Sequence, residues 1–214
     1  MTTTIGVIGS GNIGRTLAEL FVAAGHEVVI SNSRGPESLA DLVADLGERA
    51  CAGTVAEAAE CGEIVVEAIP FGAYRELPAE ALAGKIVVSA SNYYPNRDGE
   101  IDFGGLSQTE LVADHLGESR IVKAFNTMYW ETLRDEGRPS ATASERLVLF
   151  LAGDDPEAKA VVSELIAEIG FAPIDTGSLA VGGRKQEPGS PIYNEPMTSD
   201  EARGRLAAMD GEAV

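Results

Sequence analysis

A chain of 214 residues is long enough for one sizeable core with a small accessory region. Its 34 acidic against 16 basic side chains give a net charge of −18, which repels nucleic acid and anionic membrane, so neither is an expected partner. No apolar run approaches the roughly 20 residues of a membrane span, and the first predicted strand leaves no room after Met1 for a signal peptide, so a cytoplasmic protein is expected.

The chain starts with a short apolar strand ending at Ile8, then Gly9-Ser10-Gly11-Asn12-Ile13-Gly14, then an amphipathic run from Arg15 to Ala24. G-x-G-x-x-G between a strand and a helix is the pattern of a dinucleotide site. Gly9 makes the tight turn, Gly11 lets a pyrophosphate approach the backbone, and Gly14 lets helix and strand pack closely. The helix N-terminus adds free N–H groups and a partial positive charge. Gly25 closes that helix, and Glu27 to Ile30 reads as the second strand.

An NAD site would carry Asp or Glu after this strand, about 20 residues beyond the glycines. The chain instead gives Ser31-Asn32-Ser33-Arg34-Gly35. Hydroxyl, amide and guanidinium groups suit a 2′-phosphate, so Asn32, Ser33 and Arg34 point to NADP(H) over NAD(H).

Helical spacing over Leu39 to Leu46 is followed by a short strand at Ala50–Gly53 and a capping box at Thr54–Glu57. Strands are predicted at 63–69 and 85–90, with a loop from Ser91 to Gly105. A second capping box at Ser107–Glu110 opens a helix ending at Gly117. Strands at 120–125 and 147–152 follow, then a helix from Pro156 to about Ile169 capped by Asp154 or Asp155, and a last strand at 171–175. Strands alternating with helices predict a Rossmann-type α/β fold, doubly wound, with a mostly parallel sheet covered on both faces. Residues 1–180 form the NADP-binding domain on this reading. Residues 181–214 form a Gly/Pro-rich segment and short helix, capped at Thr198–Glu201, packed on the same domain. Cys51 and Cys61 read as buried or half-buried free thiols in a reducing compartment.

Ligands of such sheets bind beyond the carboxyl ends of the strands. Three segments sit there: Ile69-Pro70-Phe71 as an apolar wall, Ser89 to Pro95 with amide, hydroxyl and aromatic groups, and Lys123 to Trp130 with stacking surfaces and donors. Glu67 is unusual inside an apolar strand, because a buried carboxylate needs a partner or a raised pKa. His26 and His115 read as structural. No general acid or base stands out; Asn126, Tyr93, Lys123 and Glu67 are the weak catalytic candidates, and Tyr94 and Tyr129 could also donate a proton.

The combination resembles the F420-dependent NADP oxidoreductase family, whose reductase domain also occurs in metal-reducing membrane proteins. The likeness rests on the glycine motif from Ile8 to Gly14, Ser33-Arg34, Ala68-Ile69-Pro70-Phe71, Val122 to Thr127, Ala152 to Asp155, and Asp175 to Leu179. The resemblance implies hydride transfer between NADP(H) and a small-molecule redox acceptor such as coenzyme F420. It implies a cofactor-binding motif from Gly9 to Gly14 in which Ser10, Gly11, Asn12 and Ile13 hold the pyrophosphate, with Ile69, Pro70 and Asn92 bordering the nicotinamide side and Ala124 also at the cofactor. It also implies an acceptor pocket shaped by Ala124 to Trp130 and a homodimer; with two cysteines and no further ligand cluster, no bound metal is expected. The chain departs from the family in carrying Asn126 where His is usual, and in the run Tyr93-Tyr94-Pro95. Alternative functions are NADPH-dependent reduction of a small carbonyl, imine, flavin or metal acceptor, and a non-catalytic NADP(H)-sensing module.

Overall fold

The computed structural model describes residues 2–211; Met1 and residues 212–214, which end the C-terminal segment, lie outside the described residues. Eight strands form one sheet: β1 (Thr4–Ile8), β2 (Glu27–Ser31), β3 (Ala50–Ala52), β4 (Ile64–Glu67), β5 (Ile86–Ser89), β6 (Arg120–Ala124), β7 (Val148–Gly153) and β8 (Ala172–Asp175). They stand in the order β3-β2-β1-β4-β5-β6-β7-β8, so the winding reverses between β1 and β4. The first helix, α1 (Asn12–Ala23), is followed by α2 (Ala40–Leu46), α3 (Val55–Cys61), α4 (Ala79–Leu82), α5 (Pro95–Asp98) and α6 (Gln108–Leu116). Then come α7 (Trp130–Asp135), α8 (Pro156–Glu168), α9 (Gly182–Lys185) and α10 (Ser199–Gly211).

Alternation along the strands divides the core. Ile5, Val7, Val66, Val88 and Val122 face α1 and α8, with Phe21 and Phe125 meeting edge to face at 6.1 Å. Val65, Val87 and Ile121 face the opposite layer, which includes Ala58 of α3, Leu82 of α4 and Val112 of α6. Burying a Phe or Leu side chain contributes about 1.5–3 kcal/mol, so these two layers hold the sheet rigid beneath its loops. A third cluster joins Val148 and Phe150 of β7 to Ile192, Met197 and Ala202, seating the C-terminal segment and α10 against the outer strands.

Both capping boxes are formed, Thr54 with Glu57 and Ser107 with Glu110, and Asp155 caps α8 through the backbone N–H groups of Glu157 and Ala158. The doubly wound fold stands, with one reversal: β7 pairs antiparallel with β6. The connection 125–147 holds only the short α7 and delivers the chain to the start of β7 at the edge where β6 ends, so no crossover is needed. In consequence the carboxyl ends of β7 and β8 lie at the far edge of the sheet. The blocks Ala152 to Asp155 and Asp175 to Leu179, expected at strand ends, therefore begin away from those of β1 to β6. The predicted loop after β5 contains the one-turn helix α5, and the two cysteines are free but exposed, correcting their expected burial.

Candidate active-site cleft

The reversal between β1 and β4 leaves a cleft above their carboxyl ends, where ligands of doubly wound sheets sit. Two cavities occupy it. One, of about 640 Å³, runs past Gly9, Ser10, Asn32, Ser33 and Arg34; the other, of about 510 Å³, runs past Asn92, Asn126, Met128, Tyr129 and Tyr193. Both touch Gly11, Ala68, Ile69 and Pro70, so they meet at the tip of β4.

The glycine loop is built as a phosphate cradle. Gly9 takes φ +111°, and a Cβ there would lie 2.4 Å from the Ala68 carbonyl oxygen. Gly11 is exposed, caps α1 with no side-chain hydrogen bond, and a Cβ on it would meet nothing within 4 Å. No acidic residue stands in the first turn of α1 to oppose an anion. A pyrophosphate group fits these features. Gly14 does something else: it is buried, lines neither cavity, and a Cβ on it would lie 2.0 Å from the Gly9 carbonyl oxygen. Its role is close packing of helix on strand rather than contact with a ligand.

Asn32 ties this loop to the end of β2. Its Nδ2 donates to Ser10 Oγ at 3.0 Å and to Ser38 Oγ at 3.0 Å, while its Oδ1 accepts from the Arg34 backbone N–H at 2.9 Å. Ser33 and Arg34 are exposed at the cavity mouth, and among the described residues the Arg34 guanidinium makes no ion pair. An exposed, uncommitted guanidinium beside a phosphate cradle can bind a second phosphate.

The other chamber is walled by Asn92 and Asn126. Asn92 Nδ2 donates to the Asn126 carbonyl at 2.8 Å; Asn126 Nδ2 donates to Asn92 Oδ1 at 3.0 Å and to the Gln186 carbonyl at 2.8 Å. Asn126 is aimed by Phe125, which takes φ +63°, a conformation costing a non-glycine residue about 1 kcal/mol or more. Asn126 Oδ1 is buried without a protein partner in the chamber wall, ready to accept from a ligand.

Several expected contacts fall elsewhere. Ala124 is fully buried in the core and lines neither cavity, because strand parity turns it towards the α1 layer. Phe71 is also buried, packing with Tyr74, Tyr93 and Phe103, so of that segment only Ile69 and Pro70 line the cleft. Tyr93 belongs to that aromatic cluster and donates its hydroxyl to the Gly99 carbonyl at 2.7 Å, which removes it as a cleft donor. Glu67 and Lys123 are wholly buried under the cleft floor. Burial pushes Glu67 up to about 7, against the pull of bonds from Ser89 and Ser91 and of the Lys123 charge. Burial pulls Lys123 down to about 8, against the charges of Glu187 and Glu67. His26 bonds Glu168 and His115 bonds the Leu77 carbonyl, both structural.

Three residues lining the second chamber went unforeseen: Arg97, Tyr193 and Asn194. Arg97 donates to the Asn92 carbonyl at 2.5 Å and pairs with Asp98 at 2.8 Å, bracing the loop after β5. Tyr193 shares a hydrogen bond with Tyr94 across the chamber mouth, and burial together with that bond raises its phenol pKa. Asn194, at φ +55°, donates its backbone N–H to the Thr127 carbonyl at 2.9 Å. The C-terminal segment thus closes one side of the chamber. A tyrosine between two prolines was the only signal in that stretch.

Residues 4–93 match the family described as NADP oxidoreductase, coenzyme F420-dependent. A hypothetical protein of Sinorhizobium meliloti has a solved structure that is 35% identical, with a TM-score of 0.80 over 94% of this chain and 97% of that one. A structure from Arthrobacter sp. FB24, described as an F420-dependent NADP reductase, is 27% identical, with a TM-score of 0.69 over 84% of this chain and 86% of that one. The metalloreductase STEAP3 of Rattus norvegicus is 35% identical over 178 residues, 82% of this chain and 34% of the rat protein. The chain thus spans about a third of the length of the curated relatives it matches. With the glycine cradle, the residues after β2 and the doubly wound sheet in place, this chain belongs to the family of coenzyme F420-dependent NADP oxidoreductases.

Proposed function

We propose that the chain transfers hydride between NADP(H) and a planar redox cofactor of the coenzyme F420 class. The observation that carries this reading is the meeting of two cavities at Ile69 and Pro70, one with a phosphate cradle and one without. Ser10, Gly11, Asn12 and Ile13 would hold the pyrophosphate, Ser33 and Arg34 the 2′-phosphate, and Ile69, Pro70 and Asn92 the nicotinamide. NADP(H) supplies the hydride chemistry; the protein holds both partners in line and excludes water between them. Tyr129 and Tyr193 offer ring surface to a planar acceptor, and Asn126 Oδ1 offers it an acceptor atom. The family's description and that of the Arthrobacter relative support F420 as this acceptor.

The hydroxyl pair of Tyr94 and Tyr193 supports a second reading, NADPH-dependent reduction of a small carbonyl or imine with one phenol as proton donor. The metalloreductase relatives support onward delivery of electrons to a metal in the same way. An NADP(H) sensor needs no second chamber beside the first. Homodimer assembly, part of the same family reading, is checked by sedimentation velocity.

Direct hydride transfer on this reading requires both cavities to be occupied at once. Calorimetric titration of F420 into NADP⁺-saturated protein should show saturable binding. Competition between the two ligands would contradict the reading.

A further inference from the structure

A polar row crosses the sheet beneath the cleft. Glu67, Ser89 and Lys123 occupy paired positions on β4, β5 and β6, so their side chains leave the same face. All three are at most 1% exposed, an unusual setting for a carboxyl group and an ammonium. Glu67 Oε1 accepts from Ser89 Oγ at 2.5 Å and from Ser91 Oγ at 2.7 Å, while its Oε2 is buried without a hydrogen-bond partner. Ser91 is the one of these partners that also lines the chamber, and Lys123 Nζ donates to the Ser91 carbonyl at 3.4 Å.

This arrangement connects a sealed carboxyl group to the cleft through one hydroxyl. The charges that face Glu67 are few: Lys123 from β6 and, behind Lys123, Glu187 of the C-terminal segment. Lys123 Nζ bonds the Ser91 carbonyl and, among the described residues, forms no ion pair with Glu67, while burial keeps the carboxyl from water. A cation arriving in the cleft favours its ionised form, and a neutral ligand does not. The oxidised nicotinamide is a cation and the reduced ring is neutral.

We propose that Glu67 is linked to the redox state of the nucleotide in the cleft. It keeps its proton beside the reduced nicotinamide and releases it through Ser91 beside the oxidised one. This rests on the reading of the cleft as the NADP(H) site. In the structure the Ser91 hydroxyl donates to Glu67 Oε1, so for release it turns its hydrogen to the cleft and gives it to water there while Oγ accepts the carboxyl proton; the hydroxyl is unchanged and the carboxyl becomes a carboxylate. Reduction of a deazaflavin-type acceptor consumes one proton with each hydride, which gives the released proton its destination. Glu67 acts through Ser91 and is a positioning residue for that proton.

Linkage fixes the sign. Binding that releases a proton strengthens as pH rises, so NADP⁺ affinity should climb relative to NADPH affinity through the titration of Glu67. A displacement of one pH unit between the two complexes makes the change about tenfold between pH 5.5 and 8. The 2′-phosphate titrates in the same range but is common to both nucleotides, so it cancels in the comparison.

The test uses the whole protein and no acceptor. NADP⁺ and NADPH are titrated calorimetrically in buffers of different ionisation enthalpy, giving the protons exchanged by each. The wild type should release more protons with NADP⁺ than with NADPH near pH 6.5. Glu67→Gln should bind both nucleotides with equal proton exchange. Ser91→Ala removes a bond that favours the carboxylate, so it should move the difference to higher pH. Equal proton exchange in the wild type, or a difference surviving in Glu67→Gln, would overturn the inference while leaving the NADP(H) site intact. Failure of both nucleotides to bind would remove the site itself, and the inference with it.

Discussion

Asn92 and Asn126 hold the ends of β5 and β6 together through two reciprocal bonds, of 2.8 and 3.0 Å, and so form one wall of the second chamber. Asn126→Ala should strand the Asn92 and Gln186 oxygens, costing about 1–3 kcal/mol of stability. Urea denaturation measures that loss, and acceptor reduction should fall while NADPH affinity stays within a factor of about two.

Arg34 is exposed at the mouth of the cradle with its guanidinium uncommitted among the described residues. Arg34→Ala should weaken NADPH binding about 10- to 100-fold, the loss of a charge-assisted bond, and leave NADH binding unchanged. Equal losses for both nucleotides, measured by fluorescence titration, would defeat the 2′-phosphate assignment.

The motif glycines should separate by function. A side chain at Gly11 enters open space, so Gly11→Val should fold normally and bind neither nucleotide. A methyl at Gly14 would stand 2.0 Å from the Gly9 carbonyl oxygen, so Gly14→Ala should destabilise the fold by about 1–3 kcal/mol. Thermal denaturation beside nucleotide titration distinguishes the two outcomes.

The raised pKa of Glu67 makes stability depend on pH. Its folded value of about 7 lies above its ordinary 4.5, so the neutral form is favoured in the fold, and the resulting stability is complete below about pH 4.5. It is lost as pH rises through 7, by about 3 kcal/mol in all. Glu67→Gln should flatten the stability profile across that window, as read by urea unfolding at fixed pH steps.

What could be read from the sequence was what neighbours in the chain decide. The glycine cradle, the capping boxes at Thr54 and Ser107 and the Asp155 cap depend on residues a few positions apart, and each is formed. The reversal of β7 was hidden, because strand direction follows the route of the connection and not the periodicity of Val148 to Gly153. Tyr193 was hidden for another reason: its contact with Asn92 spans 101 positions, and nothing local marks it. Phe71 and Ala124 sit in the right segments but face inward, since one step of parity separates a core residue from a lining one. Glu67 was conspicuous as a carboxylate in an apolar strand, yet its connection to the cleft through Ser91 required the fold.

The most direct measurement is NADPH oxidation by the purified protein with and without F420, followed at wavelengths that separate the two cofactors. Saturable F420 reduction, lowered by Arg34→Ala and by Asn126→Ala for different reasons, is the expected result. Tight NADPH binding with F420 left oxidised would contradict hydride transfer to a deazaflavin.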